Sequence, residues 1–180
     1  MYTLDIGEHA WEMATTMTDP TDPRPILVPV DFSTHSEAAL LCAVELSRCY
    51  RRPLLILHVV HDPATMPGYY SRALKKKQLH RIEDGATDML TEFLRTLGRH
   101  HPELKELSDA ESLLVKGLPS TRILEIAAQR SVGMIVMGSK GLTGLKHLFL
   151  GSVAERVVHR ARIPVTIVKS PHAPTAASPK

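Results

Sequence analysis

Residues 137–158 read MGSKGLTGLKHLFLGSVAERVV. Gly138, Gly141, Gly144 and Gly151 stand between an apolar run and an amphipathic one, with Ser139, Lys140 and Ser152 among them. At Gly138 a missing side chain would let a ribose or phosphate approach the backbone. At Gly141 a positive φ would present successive N–H groups to an anion. Gly151-Ser152 opens the amphipathic run, and a helix start offers unpaired N–H groups and partial positive charge to a phosphate. The Ser152 hydroxyl could cap that helix, with Glu155 completing a Ser-x-x-Glu capping box, or contact a phosphate. Lys140 and Lys146 lie in the same loop, either against phosphate charge or in solvent. One glycine there would mean only a loop; the combination, after a strand and before a helix, points to phosphate. The spacing is not that of a P-loop, a Rossmann Gly-x-Gly-x-x-Gly or a Gly-x-Ser-x-Gly elbow.

A second constellation is PVDFS, residues 29–33. It closes an apolar run with Asp31, whose carboxylate could accept ligand hydrogen bonds or join a Mg²⁺ shell with phosphate oxygens. The plainer alternative is a structural aspartate near a helix N-terminus. The ten histidines, including His58, His61, His100 and His101, form no convergent ligand set and read as surface or strand-end residues. The lysine run at 75–77 reads as a solvated face.

These residues need elements to hold them. Strands are read at 26–30, 54–60, 110–117, 132–138 and 164–169, and the continuous apolar ones among them predict burial on both faces. Helical spacing marks 36–50, 79–98, 119–130 and 152–161. The first carries Ala39, Leu40, Ala43, Val44 and Leu46 on one face, with Thr34 and Glu37 as a capping box. The second carries Leu79, Ile82, Ala86, Met89, Leu90, Phe93 and Leu97. The alternation predicts an α/β fold: an open, doubly wound, five-stranded parallel sheet in the order 3-2-1-4-5, with helices on both faces. Ligands of such sheets lie beyond the carboxyl ends of the strands, where the order reverses.

The organisation expected is an N-terminal arm or linker over 1–24, ending in TDPTDPRP and carrying Trp11, one folded domain over 25–169 and a disordered Pro/Ala/Ser tail over 170–180. No apolar run is long enough to span a membrane, and the first residues do not read as a secretory signal. Cys42 and Cys49 sit too far apart along one helix to bridge and read as reduced core thiols, so a cytoplasmic location is expected. A net charge of +3 favours an anionic ligand slightly and does not argue for nucleic acid.

The Gly138, Gly141, Gly151-Ser152 spacing, PVD at 29–31 and HV at 58–59 together resemble the universal stress protein family, of its nucleotide (ATP)-binding kind. The resemblance covers about residues 25–169. It implies that Pro29 and Val30 wall the base beside Asp31, and that Val59 holds the adenine through its backbone. Met137 and Gly138 would face the ribose, and Gly141, Gly151, Ser152 and Val153 the phosphates. The ligand implied is ATP, AMP or ADP, with Asp31 as a candidate Mg²⁺ ligand.

No general base or water-positioning residue stands out near the glycine segment, so a regulatory nucleotide-binding module is expected over an enzyme. The alternatives are a slow ATP hydrolase or self-phosphorylating protein and, against the phosphate spacing, a flavin- or redox-linked protein. The last strand, 163–169, is β-branched and apolar at a sheet edge, which proteins cover or pair. A homodimer through it is expected, with Val165 and Ile167 on the shared face, and the resemblance points the same way. The alternative cover is the arm with Trp11.

Overall fold

The computed structural model describes residues 23–60, 76–141 and 150–170. The elements run β1 (Ile26–Val30), α1 (Thr34–Tyr50), β2 (Leu54–Val60), α2 (Lys76–His100), α3 (Glu106–Asp109), β3 (Glu111–Lys116), α4 (Pro119–Gln129), β4 (Met134–Gly138), α5 (Ser152–Arg160) and β5 (Val165–Val168). All strand pairs are parallel, and the sheet order is β3-β2-β1-β4-β5. This is the doubly wound sheet the alternating periods predict.

The central strands are apolar at nearly every position because both of their faces are covered. Ile26, Val28 and Val30 of β1, Ile56 of β2 and Val136 of β4 pack with Leu40 and Val44 of α1 and Leu90 and Leu97 of α2. The alternate residues Leu27, Leu55, Leu57, Ile135 and Met137 pack with Ile123 of α4 and Ala154 and Val157 of α5. Each large aliphatic side chain buried this way contributes about 1.5–3 kcal/mol. Pro119 stands in the first turn of α4, where its missing N–H costs nothing.

Several local expectations are corrected. Helix α1 begins two residues early, and its cap is Ser33, whose Oγ accepts the Ser36 N–H at 3.2 Å. Thr34 is therefore already helical, and no Thr34–Glu37 box forms. Helix α5 is capped by Gly151 and has no side-chain cap, so Ser152 is its first helical residue and no Ser152–Glu155 box forms. Met89 is 56% exposed, on the outer side of α2. Cys49 is exposed, not a core thiol, while Cys42 is half-buried and burial pushes its thiol pKa up. The side chains of Val165 and Ile167 pack into the α4/α5 layer, not toward an open face.

Helix α3 was not foreseen. It is held to α1 by Arg48, which donates to Glu106 Oε1 at 2.7 Å, to Glu106 Oε2 at 2.9 Å and to the Glu103 carbonyl at 2.8 Å. Among the described residues, no helix is long and apolar enough to cross a membrane. The arm with Trp11 and the tail from residue 171 lie outside the described residues, as do His61 and Lys146.

Candidate functional site

The strand order reverses between β1 and β4, and the chain itself keeps them from zipping fully there. Register between β1 and β2 runs the whole strand, ending at Val30↔His58. Register between β1 and β4 stops at Leu27↔Ile135. Ile26 N–H donates to the Pro53 carbonyl on the β2 side, and the Pro25 carbonyl accepts from Gly133 N–H on the β4 side. Backbone groups alternate along a strand, so the Pro29 nitrogen faces β4 and has no hydrogen to give. The ladder therefore ends below the carboxyl edge. In a Pro29→Ala chain the new amide should become protected from hydrogen exchange to within roughly a factor of ten of Leu27. Free exchange at that amide would mean that something other than proline ends the ladder.

Asp31 follows β1 directly, in a closed network. Its Oδ1 accepts the Ser33 N–H at 3.2 Å and the Ser33 hydroxyl at 2.6 Å. Its own N–H donates to Ser36 Oγ at 3.3 Å, and that hydroxyl donates to the Ser33 carbonyl at 2.9 Å. The network fixes both the start of α1 and one carboxylate oxygen. Ser33 stands in the PVDFS constellation but was given no role from the sequence, and Ser36 was not singled out. Asp-x-Ser-x-x-Ser after a buried strand is the signal that could have found them.

The glycine segment comes together on the other side of the reversal. Ser139, 2% exposed, donates its N–H to the Val168 carbonyl at 2.8 Å, and its own carbonyl accepts the Gly151 N–H at 2.8 Å. A Cβ on Gly151 would lie 3.4 Å from Lys140 Cα, 3.4 Å from Ser139 O and 3.9 Å from Gly141 N. The residues on either side of 142–149 thus form one platform at the start of α5, which no side chain caps. Ser152 is exposed at that start, with Val153 half-buried beside it.

The two glycines make room for different neighbours. A Cβ on Gly138 would sit 2.8 Å from the carbonyl carbon and oxygen of His35, so Gly138 lets β4 approach the first turn of α1. Gly141 has no positive φ. Instead, a Cβ there would overlap Asp31 Oδ2, so the glycine lets the Asp31 carboxylate lie against the platform. Lys140 is half-buried between the two.

The proposed base side is less enclosed. Val59 lies one residue beyond the last β1 pair. Gly117 N–H donates to the Val60 carbonyl on the β3 side, so the Val59 peptide groups face the β1 side. Met137, 5% exposed, and the half-buried Val59 side chain pack in the α4/α5 layer. Leu118, 44% exposed, stands past the end of β3 and was not anticipated. Among the described residues, no group of three or more His, Cys, Asp or Glu could hold a metal by itself. The chemistry on offer is anion capture by backbone N–H groups beside one held carboxylate.

The profile of the universal stress protein family matches residues 23–169. The chain belongs to that family. It is 30% identical over 162 residues to universal stress protein MJ0577 of Methanocaldococcus jannaschii, covering 81% of this chain and 94% of that one. It is 32% identical over 145 residues to universal stress protein YxiE of Bacillus subtilis, covering 80% and 97%. The solved structure of MJ0577 superposes with a TM-score of 0.61 at 29% identity, covering 84% of this chain and 99% of that one. A universal stress protein in complex with cAMP shares the fold at 21% identity, 82% and 98% coverage and a TM-score of 0.55. One from Archaeoglobus fulgidus in complex with dAMP does so at 24% identity, 81% and 98% coverage and a TM-score of 0.52. The candidate residues of this universal stress protein, from Pro29 to Val153, all lie within the matched span.

Proposed function

We propose that this universal stress protein is a regulatory module that binds an adenine nucleotide, ATP, ADP or AMP, at the β1/β4 reversal. The observation that carries the reading is the platform of Ser139, Lys140, Gly141 and Gly151 at the start of α5, which no side chain caps, with the Asp31 carboxylate against it. Such a start attracts phosphate through its N–H groups and dipole. Two proteins of the same fold hold adenine nucleotides, cAMP in one and dAMP in the other. In this chain Gly151, Ser152 and Val153 would meet the phosphates, and the Asp31 carboxylate would share Mg²⁺ with phosphate oxygens. Pro29, Val30 and the Val59 backbone would meet the base, and Met137 and Gly138 the ribose.

Gly151→Val tests the platform. The new Cβ meets its neighbours at ordinary contact distance, so the fold should stand, while the branch occupies the approach to the backbone. ATP affinity in calorimetry is expected to fall at least about tenfold, the scale of one lost charged hydrogen bond. An unchanged affinity in a folded variant removes the phosphate assignment. Mass spectrometry of small molecules released from the denatured wild type identifies the working nucleotide.

The same proposal includes a homodimer along β5. Pro164 O and Val168 O accept from Ile135 N–H and Ser139 N–H, so by alternation the Val165 and Ile167 peptide groups face away from β4. An edge of this kind invites strand pairing. Because the side chains of Val165 and Ile167 face inward, the pairing would run through backbone. Ile167→Pro removes one outward N–H and leaves the β4 ladder its donors. Light scattering should then report a monomer at concentrations where the wild type is dimeric. A persistent dimer would place the interface elsewhere.

A further inference from the structure

We infer that His58 and Phe32 are positioning residues that hold the β1–α1 turn so that Asp31 faces Gly141; the inference rests on the nucleotide reading of that site. Phe32 lies between Asp31 and Ser33 and has φ 65°, left-handed backbone that a bulky residue rarely adopts. Such a conformation is strained and persists only where the surroundings enforce it. Here the surroundings are specific. The Phe32 ring stacks on the His58 ring with centroids 4.3 Å apart and planes 31° apart. Phe93 of α2 meets Phe32 edge-on at 5.6 Å and 62°. Both are favourable aromatic geometries.

His58 is itself fixed. Its Nδ1 lies 2.8 Å from the Val30 carbonyl. A carbonyl only accepts, so Nδ1 carries the proton. Val30 and His58 are also the last registered pair of β1 and β2. The imidazole therefore ties the last residue of β1 with one atom and carries the Phe32 ring on its face. Asp31 sits between these two points, and Ser33, its hydrogen-bond partner, follows immediately. Releasing either point lets the turn relax toward ordinary φ. That relaxation would rotate the Asp31 carboxylate away from Gly141, where no Cβ stands in its place.

The chemistry separates the two ties. His58→Asn keeps a donor for the Val30 carbonyl and removes the ring. His58→Phe keeps a ring for Phe32 and removes the donor. His58→Ala removes both. The first readout uses the ligand-free full chain. The backbone amide resonances of Ser33 and Gly141 should move most in His58→Ala and less in the other two. Unmoved resonances in all three overturn the inference, whether or not the protein binds nucleotide.

The second readout is ATP affinity by calorimetry in two backgrounds. If His58 acts through Asp31, His58→Ala should weaken binding about tenfold in the native background and less than about twofold beside Asp31→Asn, since residues in one network couple. Equal losses in both backgrounds mean a merely structural histidine and overturn the inference. A wild-type chain that binds no adenine nucleotide sinks the nucleotide reading instead, and the amide shifts alone then decide whether His58 positions the turn.

Discussion

Gly138→Ala is expected to cost about 2–3 kcal/mol, the range of an overpacked core. In a domain of this size that lowers Tm by roughly 5–10 °C. The added Cβ would stand 2.8 Å from the carbonyl carbon and oxygen of His35 and 2.9 Å from its Cβ. Two of these are backbone atoms in the first turn of α1 and cannot rotate away. Helix α1 cannot lift either, because Ala39, Leu40, Ala43 and Val44 anchor it with no exposed surface. The shift would also strain the tie between His35 Nδ1 and the Ser170 N–H, 3.2 Å long, at the end of β5. Gly85→Ala is the control. It sits in α2 with nothing within 4 Å of the new Cβ, so it should hold or raise Tm through helix propensity alone. Scanning calorimetry on both variants checks the pair; equal Tm values would mean that β4 and α1 are not in close approach.

The second large effect belongs to Gly141→Ala, and it should fall on binding more than on stability. The new Cβ overlaps Asp31 Oδ2. A carboxylate can normally swing aside at little cost. Here Oδ1 is held by the N–H and hydroxyl of Ser33, so a swing breaks two hydrogen bonds. ATP affinity should drop about 10–100-fold, the equivalent of one or two charge-assisted contacts. The cause can be isolated, because Asp31→Ala removes the overlapping oxygen. Adding Gly141→Ala to Asp31→Ala should change affinity and Tm far less than it does alone, the non-additivity expected of touching residues. Additive losses in isothermal calorimetry would show that Gly141 acts independently of Asp31.

The sheet was legible because its signals are redundant. The central strands are nearly continuous apolar runs, the longer helices carry a 3.6-residue stripe, and parallel connection leaves few topologies. The glycine segment was legible as a site for the same reason: several residues agreed. What each residue does there was not. Gly138 and Gly141 look alike in sequence, yet one makes room for His35 backbone and the other for the Asp31 carboxylate. Both partners come from the far end of a strand pairing that spacing cannot reveal. The caps fell one residue earlier than read because Ser33 and Gly151 compete with Thr34 and Ser152 for that place, and only φ and ψ decide. Arg52, 2% exposed at the opposite end of the sheet, and the short helix α3 gave no periodic signal at all. The polar network of Asp31, Ser33 and Ser36 was hidden because serines near a helix start are ordinary. Their joint geometry is what distinguishes them.

The position of β1 in the middle of the sheet also sets an order of events. Strands β1, β2 and β3 are consecutive in the chain and adjacent in the sheet, so they can pair by local closure. Strand β4 must return to Ile26 and Leu27 from roughly a hundred residues downstream, and closing so long a loop is slow and entropically costly. Ser139, Lys140, Gly141 and Gly151 arrive only with that closure. The site and the completed fold are therefore one event. A ligand bound there adds its free energy to the last docking step and not to the assembly of the first three strands. A nascent or clipped chain that stops before β4 would hold a partial sheet and no site.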